Sequence, residues 1–213
     1  MTNLQGKTIL ITAGPTYEKI DPVRFIGNFS TGKMGYAIAE QCAECGAKVI
    51  LVSGPTNLSI KHADINRINV MSGEEMYQTC SKYHSSSDIT IFCAAVADYT
   101  PKNPSDSKVK RQADELVIEL VKNKDIAAEL GKQKKNNQIH IGFALETDNE
   151  VVNAQGKLSK KNLDYIILNS LQDENAGFGY DTNKVTIISI DSITPLPLMS
   201  KKEVAIEITN LLK

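Results

Sequence analysis

Residues 21–36 read DPVRFIGNFSTGKMGY and gather Gly27, Gly32, Gly35, the hydroxyls of Ser30 and Thr31, Lys33, Arg24 and Asn28 into one short stretch. It lies between a predicted strand and a predicted helix. Backbone N–H groups of a glycine-rich turn that feeds a helix N-terminus form an anion site, so a phosphate-bearing ligand is expected here. Asn28 adds an amide able to donate to a carbonyl or phosphate oxygen. Asp98 closes a predicted buried strand, where a carboxylate needs a cation or hydrogen bonds to offset its desolvation. Lys108 falls on a long polar loop. Lys157 and Lys161 are four apart on a predicted helix and so share a side, which alone also reads as a solvated face. Together these groups suit a nucleoside triphosphate with a metal ion, plus a second polar substrate.

The elements that must position them alternate in type. Short apolar runs predict strands at 7–12 (KTILIT), 47–54, 65–70, 88–99 (DITIFCAAVADY), 140–147, 164–170 and 184–191. The 88–99 run is apolar throughout, as a central strand covered on both faces should be. ELVIELVKN (115–123) alternates and predicts a further strand. Helical spacing covers 33–45, 72–83, 125–135, 148–162 and 200–212, with Ser72/Glu75 and Ser200/Glu203 as capping boxes. Residues 100–114 form a loop with two prolines and four basic side chains, a candidate lid. The alternation predicts a three-layer α/β fold: a mostly parallel, Rossmann-like sheet, helices on both faces, and a flap around 100–123. Ligands in such folds bind outside the carboxyl ends of the strands. One domain over 1–213 is expected.

With 213 residues, 41% hydrophobic and 23% charged, the composition is that of an ordinary globular protein. A net charge of −1 implies no attraction to nucleic acid or to a membrane surface. The N-terminus does not read as a signal peptide, and no apolar run approaches the ~18 residues of a membrane span. Cys42, Cys45, Cys80 and Cys93 read as reduced thiols within regular elements, which points to the cytoplasm.

Several motifs fall short. Gly27–Lys33 lacks the hydroxyl after the lysine that a P-loop uses on magnesium, since Met34 stands there. A dinucleotide site would need a triple-glycine turn and an acid after the second strand, but the turn is AGPT and the strand ends LVSGP. Tyr180 and Lys184 have a short-chain-dehydrogenase spacing but flank a turn. Cys42–Cys45 is a lone CxxC, and His62, His84 and His140 have no zinc spacing. His140 reads as a satisfied core histidine.

ITAGPT (11–16), DPVRFIGNFSTGKMG (21–35), CAAVADY (93–99), KVKR (108–111), NKDI (123–126), GFALET (142–147) and the Lys157/Lys161 pair occur in order along nearly the whole chain. In these segments the sequence closely resembles phosphopantothenate–cysteine ligases of coenzyme A biosynthesis. The resemblance implies that 4′-phosphopantothenate is activated by CTP, with Mg2+, as an acyl-cytidylate. L-cysteine then displaces the nucleotide to give 4′-phosphopantothenoylcysteine.

By the same resemblance, Gly14, Ser30, Gly32 and Gly35 cradle phosphates, and Asn28 holds the activated carboxyl. Ala94 and Ala95 offer backbone groups, and Asp98 contacts substrate or nucleotide. Lys108 closes over the site and stabilises charge. Phe143 and the 124–127 segment (Lys124, Asp125, Ile126, Ala127) meet the base, while Lys157 and Lys161 reach the nucleotide. Arg24 is expected to cross a homodimer interface toward the substrate phosphate. The resemblance further implies a stand-alone ligase without flavin, whose product passes to a separate flavin-dependent decarboxylase. Two departures stand out: Pro15 replaces the second glycine of many relatives, and Lys124 stands where bacterial relatives often have proline. Two other readings compete: an NAD(P)-dependent reductase on the same fold, and a non-enzymatic nucleotide-binding module.

Overall fold

The computed structural model describes residues 2–110, 115–170, 177 and 179–212. In chain order the elements are β1 (Thr8–Ala13), β2 (Tyr17–Lys19), β3 (Phe25–Gly27), α1 (Lys33–Glu44), β4 (Lys48–Ser53), β5 (Ile65–Asn69), α2 (Gly73–His84), β6 (Ile89–Phe92), β7 (Tyr99–Pro101) and β8 (Leu120–Lys122). There follow α3 (Ile126–Gly131), β9 (Ile139–Glu146), α4 (Glu150–Lys160), β10 (Tyr165–Ser170), β11 (Thr182–Asn183), β12 (Val185–Ile188), β13 (Ile193–Pro195), β14 (Met199–Ser200) and α5 (Lys201–Asn210).

Eight strands form one sheet in the order β13-β12-β10-β9-β6-β1-β4-β5. Pairing is parallel from β5 to β10 and antiparallel at β12 and β13. Side chains alternate between faces. Ile9, Ile11 and Ala13 of β1 face Ile38 and Cys42 of α1 and Val204 and Ile208 of α5. Leu10 faces the opposite layer of Met76, Cys80, Ile126, Leu130, Ala154 and Leu158 from α2, α3 and α4. Each fully buried Leu or Ile in these layers contributes roughly 1.5–3 kcal/mol relative to exposure. The expected three-layer, mostly parallel α/β architecture is the one observed.

Several boundaries differ from the sequence reading. The 88–99 strand ends at Phe92, because Thr12 Oγ1 takes the amides of Cys93 (3.1 Å) and Ala94 (3.2 Å). Only Ala95 rejoins the sheet, as one parallel bridge to Pro15. The 115–123 strand shrinks to Leu120–Lys122, paired with Tyr99–Pro101 in a separate hairpin. Residues 111–114 of the expected lid, Arg111 among them, lie outside the described residues, as do 171–176 and 178 of the loop before β11. The 125–135 helix is only Ile126–Gly131, with Asp125 as its N-cap. The box at Ser72 is half made: Ser72 Oγ accepts from the Glu75 amide, but Glu75 reaches Met71 N. Ser200 and Glu203 complete theirs.

Candidate functional site

The chain runs β1-β4-β5 toward one edge and then crosses to β6, so the sheet reverses direction between β1 and β6. Crevices at such switch points, beyond the carboxyl ends of the strands, are where open α/β sheets bind ligands. Two adjoining cavities lie there, of about 190 and 320 Å³, and share Ala94, Val96, Asp98 and Phe143.

The larger cavity is lined on one side by Asn28, Ser30, Gly32 and Gly35. Gly32 has φ 81° and caps α1 without a side-chain hydrogen bond, which leaves the helix mouth to the cavity. A Cβ on Gly32 would meet Gly14 Cα at 3.3 Å, and one on Gly35 would meet Ala13 Cβ at 2.6 Å. The turn therefore rests directly on the end of β1. Gly14 (φ 77°) lies beneath it and lines neither cavity. Asn28 Nδ2 donates to Ala95 O at 2.9 Å. The Ala95 amide donates to Gly14 O at 2.9 Å. The amides of Ala94 and Ala95 are thus already engaged within the fold.

The smaller cavity gathers Lys124, Asp125, Ile126, Ala127 and Phe143, expected to meet the base, with Lys157 and Lys161. Each lysine meets a carboxylate: Lys157 with Glu146 at 2.5 Å, Lys161 with Asp125 at 3.0 Å, and Lys124 with Glu74 at 2.9 Å. Asp125 also caps α3 through Ala128 N at 3.1 Å. Asp98 borders both cavities but is exposed, because the strand that would have buried it stops six residues earlier. The desolvation argument made for it from sequence does not hold; its place between the cavities does.

Arg24 and Lys108 lie elsewhere. The buried carboxylate of Asp21 accepts from Arg24 Nη2 at 2.5 Å and from the Val109 amide at 3.1 Å. Arg24 also donates to Val109 O at 3.0 Å. Arg24 hydrogen-bonding holds the Asp21 carboxyl well below the usual carboxylate range. This clasp sets Lys108 beside Arg24, and neither lines the two cavities. Among the described residues the exposed Lys108 makes no hydrogen bond or ion pair.

Sequence reasoning counted Lys33 in the anion-site stretch without a role of its own and set Asn169 at the carboxyl end of a strand, but it missed Asn183 and Lys201. All four border the larger cavity. Asn183 Nδ2 donates to Asn169 Oδ1 at 2.9 Å. Lys201 is buried at the start of α5, and burial pushes its ammonium pKa down. Its signal in the sequence was faint, a lysine at the first position of a helix on which the macrodipole disfavours a cation.

Among the described residues, no three or more His, Cys, Asp or Glu side chains form a metal cage. Magnesium bound to a nucleotide needs only one or two carboxylates, with phosphate oxygens and water. Asp98 between the cavities fits that need.

The family model for the DNA/pantothenate metabolism flavoprotein C-terminal domain matches residues 4–213. The chain belongs to this family. It is 52% identical over 206 residues to a protein described as cysteine/cysteine sulfinic acid decarboxylase, from an unknown prokaryotic organism; the match covers 96% of this chain and 57% of that protein. It is 48% identical over 206 residues to the coenzyme A biosynthesis bifunctional protein CoaBC of Bacillus subtilis strain 168, covering 96% of this chain and 50% of that one. The crystal structure of a CoaBC C-terminal domain matches with TM-score 0.82 and 44% identity, over 98% of this chain and 95% of that one. The DNA/pantothenate metabolism flavoprotein from Streptococcus pneumoniae shares the fold, with TM-score 0.85 at 23% identity over 97% and 98% of the two chains. The chain spans about half the length of the curated relatives it matches. Among its described residues no helix is long and apolar enough to cross a membrane.

Proposed function

We propose that the protein is a cytoplasmic phosphopantothenate–cysteine ligase that uses CTP and magnesium. The observation that carries this reading is the pair of adjoining cavities. One has a shelf of lysines and Phe143 suited to a nucleoside, the other a glycine-rich turn suited to phosphates, and Asp98 and Ala94 lie between them. Family membership, and the coenzyme A pathway named for the Bacillus subtilis relative, support it. The decarboxylase name carried by another relative belongs to a protein of which this chain spans 57%.

In this reading Phe143 and the 124–127 segment hold the base, while Lys157 and Lys161 hold the nucleotide. The carboxylate of 4′-phosphopantothenate attacks the α-phosphate and pyrophosphate leaves. Asn28, braced on Ala95 O, orients the acyl group. The amine of L-cysteine then displaces the nucleotide. Asp98 would hold magnesium together with phosphate oxygens, and the ion would supply charge neutralisation for the incoming carboxylate. Most of the acceleration comes from positioning and charge neutralisation. Lys108 approaches from the segment clasped by Asp21, with Arg24 beside it. An exposed apolar group around Arg24, formed by Val23, Phe25 and Met71, supports a homodimer through this face.

A nicotinamide reductase is less well supported. A Cβ on Gly14 would lie 3.1 Å from Gly54 O, so the end of β4 is packed against the first turn, and no acid follows that strand. The test is pyrophosphate release with 4′-phosphopantothenate, magnesium and CTP or ATP, with and without cysteine. Cysteine-dependent turnover with CTP is expected. Turnover with ATP alone would overturn the nucleotide assignment, and none with either would overturn the ligase.

A further inference from the structure

Lys201 opens α5 and Lys33 opens α1, and these two helices pack against each other. Lys201 is 7% exposed. Its Nζ donates to the carbonyls of Gly177, at 2.9 Å, and of Tyr180. Lys33 Nζ donates to Gly179 O at 3.2 Å and to Asp181 Oδ1 at 2.7 Å. Three loop carbonyls thus converge on two ammonium groups that border the same cavity as Ser30 and Gly32.

The charges here do not balance among the described residues. Among the described residues Asp181 is the one carboxylate paired with either lysine; its side chain is 89% exposed and it bonds to Lys33. The direct partners of Lys201 among the described residues are neutral carbonyls. Cys93 lines the same cavity, and burial pushes its thiol up to about 12, so it remains neutral. An ammonium has three donors, and two of those on Lys201 are engaged by carbonyls. A buried cation without a counter-ion is costly to hold and is seldom kept for stability alone. Both lysines line the cavity that the glycine-rich turn also lines.

We propose that Lys201, assisted by Lys33, binds a phosphate-type oxyanion in the larger cavity. This rests on the ligase reading for the source of the anion, which is either the leaving pyrophosphate end of the nucleotide or the phosphate of the acid substrate. On entry the oxyanion supplies the counter-charge that the loop carbonyls only approximate.

The test is calorimetric titration of the full chain with inorganic pyrophosphate and, separately, with 4′-phosphopantothenate. Wild type, Lys201→Met and Lys201→Arg are compared, with thermal melts alongside. Lys201→Met should weaken one ligand by about tenfold or more, and Lys201→Arg should restore most of the loss. Loss confined to pyrophosphate assigns the subsite to the nucleotide; loss confined to phosphopantothenate assigns it to the acid. A folded Lys201→Met protein that binds both ligands as wild type does would overturn the proposal, since a purely structural lysine moves the melt and leaves the titrations alone. If Lys201→Met does not fold, Lys33→Gln carries the same test with a severalfold loss expected, and unchanged binding there overturns the proposal too. Pyrophosphate binding that depends on Lys201 in a protein unable to ligate cysteine would sink the ligase reading and leave this subsite standing.

Discussion

The Asn28 side-chain amide donates to the Ala95 carbonyl at 2.9 Å, and this bond ties the glycine-rich turn to the bridge between β1 and the chain leaving β6. The Ala95 carbonyl also accepts from Thr16 N at 3.2 Å, so it is a fixed anchor. Asn28→Asp removes the donor and sets a carboxylate against that carbonyl. The expected result is a fall in kcat of about 10²-fold or more, the usual cost of one lost positioning donor. The melting temperature should stay near that of wild type, because Asn28 is exposed. Steady-state pyrophosphate release with a parallel melt checks this, and an unchanged kcat removes Asn28 from the site.

Lys157 and Lys161 should prove unequal. Lys157 bonds to Glu146 at the end of β9, and Lys161 to the carboxylate that caps α3. Lys161→Gln therefore disturbs both the nucleotide contact and the 125–127 wall of the cavity. Lys157→Gln should raise the KM for CTP about tenfold, equivalent to ~1.4 kcal/mol. Lys161→Gln should raise it further and lower stability slightly. Equal KM effects with equal melts would contradict this arrangement.

What the sequence disclosed and what it concealed divide along physical lines. Strands such as β1 and β9 are runs of buried apolar residues, so composition alone located them. The end of β6 was hidden, because it depends on one hydroxyl from a distant strand, Thr12, taking two amides. Asp98 was placed at the site for a reason that fails, while its position between the cavities stands. The β2–β3 hairpin escaped notice because three-residue strands carry little periodicity; its Tyr17–Phe25 ring stack, with centroids 3.8 Å apart, is a pairing that only the fold creates. Lys201 escaped because burial of a lysine depends on a loop drawn in from far along the chain.

His140 was read as a satisfied core histidine, and it is only half so. Its Nε2 meets His84 Nε2 at 2.9 Å, while its Nδ1 is buried without a partner among the described residues. Burial, then the neighbouring His84, pushes His140 down to about 3, and burial also lowers His84. An unfolded histidine titrates near 6.5, so the unfolded chain binds the extra protons first. Stability should be full above pH ~6.5 and fall as pH drops toward 3. His140 alone should cost about 2 kcal/mol between pH 6.5 and 5. Urea midpoints across that range check this, and His140→Gln should flatten the profile. An equally steep profile in the variant would place the acid lability elsewhere.

Two glycines should respond in opposite ways to alanine. A Cβ at Gly35 would sit 2.6 Å from Ala13 Cβ, forcing α1 off the end of β1. Gly35→Ala should destabilise by roughly 1–3 kcal/mol, as overpacking does, and weaken phosphate binding at the turn. Gly156 lies within α4 with nothing within 4 Å of its Cβ position. Gly156→Ala should stabilise by about 0.5–1 kcal/mol through helix propensity. Melts that move in the same direction would show that the α1–β1 contact is looser than drawn.

Asp21 and Lys108 should act as one unit. The Asp21 carboxylate accepts from Val23 N, Arg24 N, the Arg24 guanidinium and Val109 N, so it fixes both the 21–24 turn and the segment that presents Lys108. Asp21→Asn cannot satisfy the same set of donors and should free that segment. If Lys108 acts only while held there, Lys108→Gln should lower kcat strongly with little change in melting temperature. Asp21→Asn should lower both. The double variant should then be no slower than Lys108→Gln alone, because a residue that is gone cannot be misplaced. Contacting residues of this kind depart from additivity by 0.5–3 kcal/mol, so the cycle in kcat is resolvable. Strictly additive losses would mean that the clasp serves stability and that Lys108 finds the site without it.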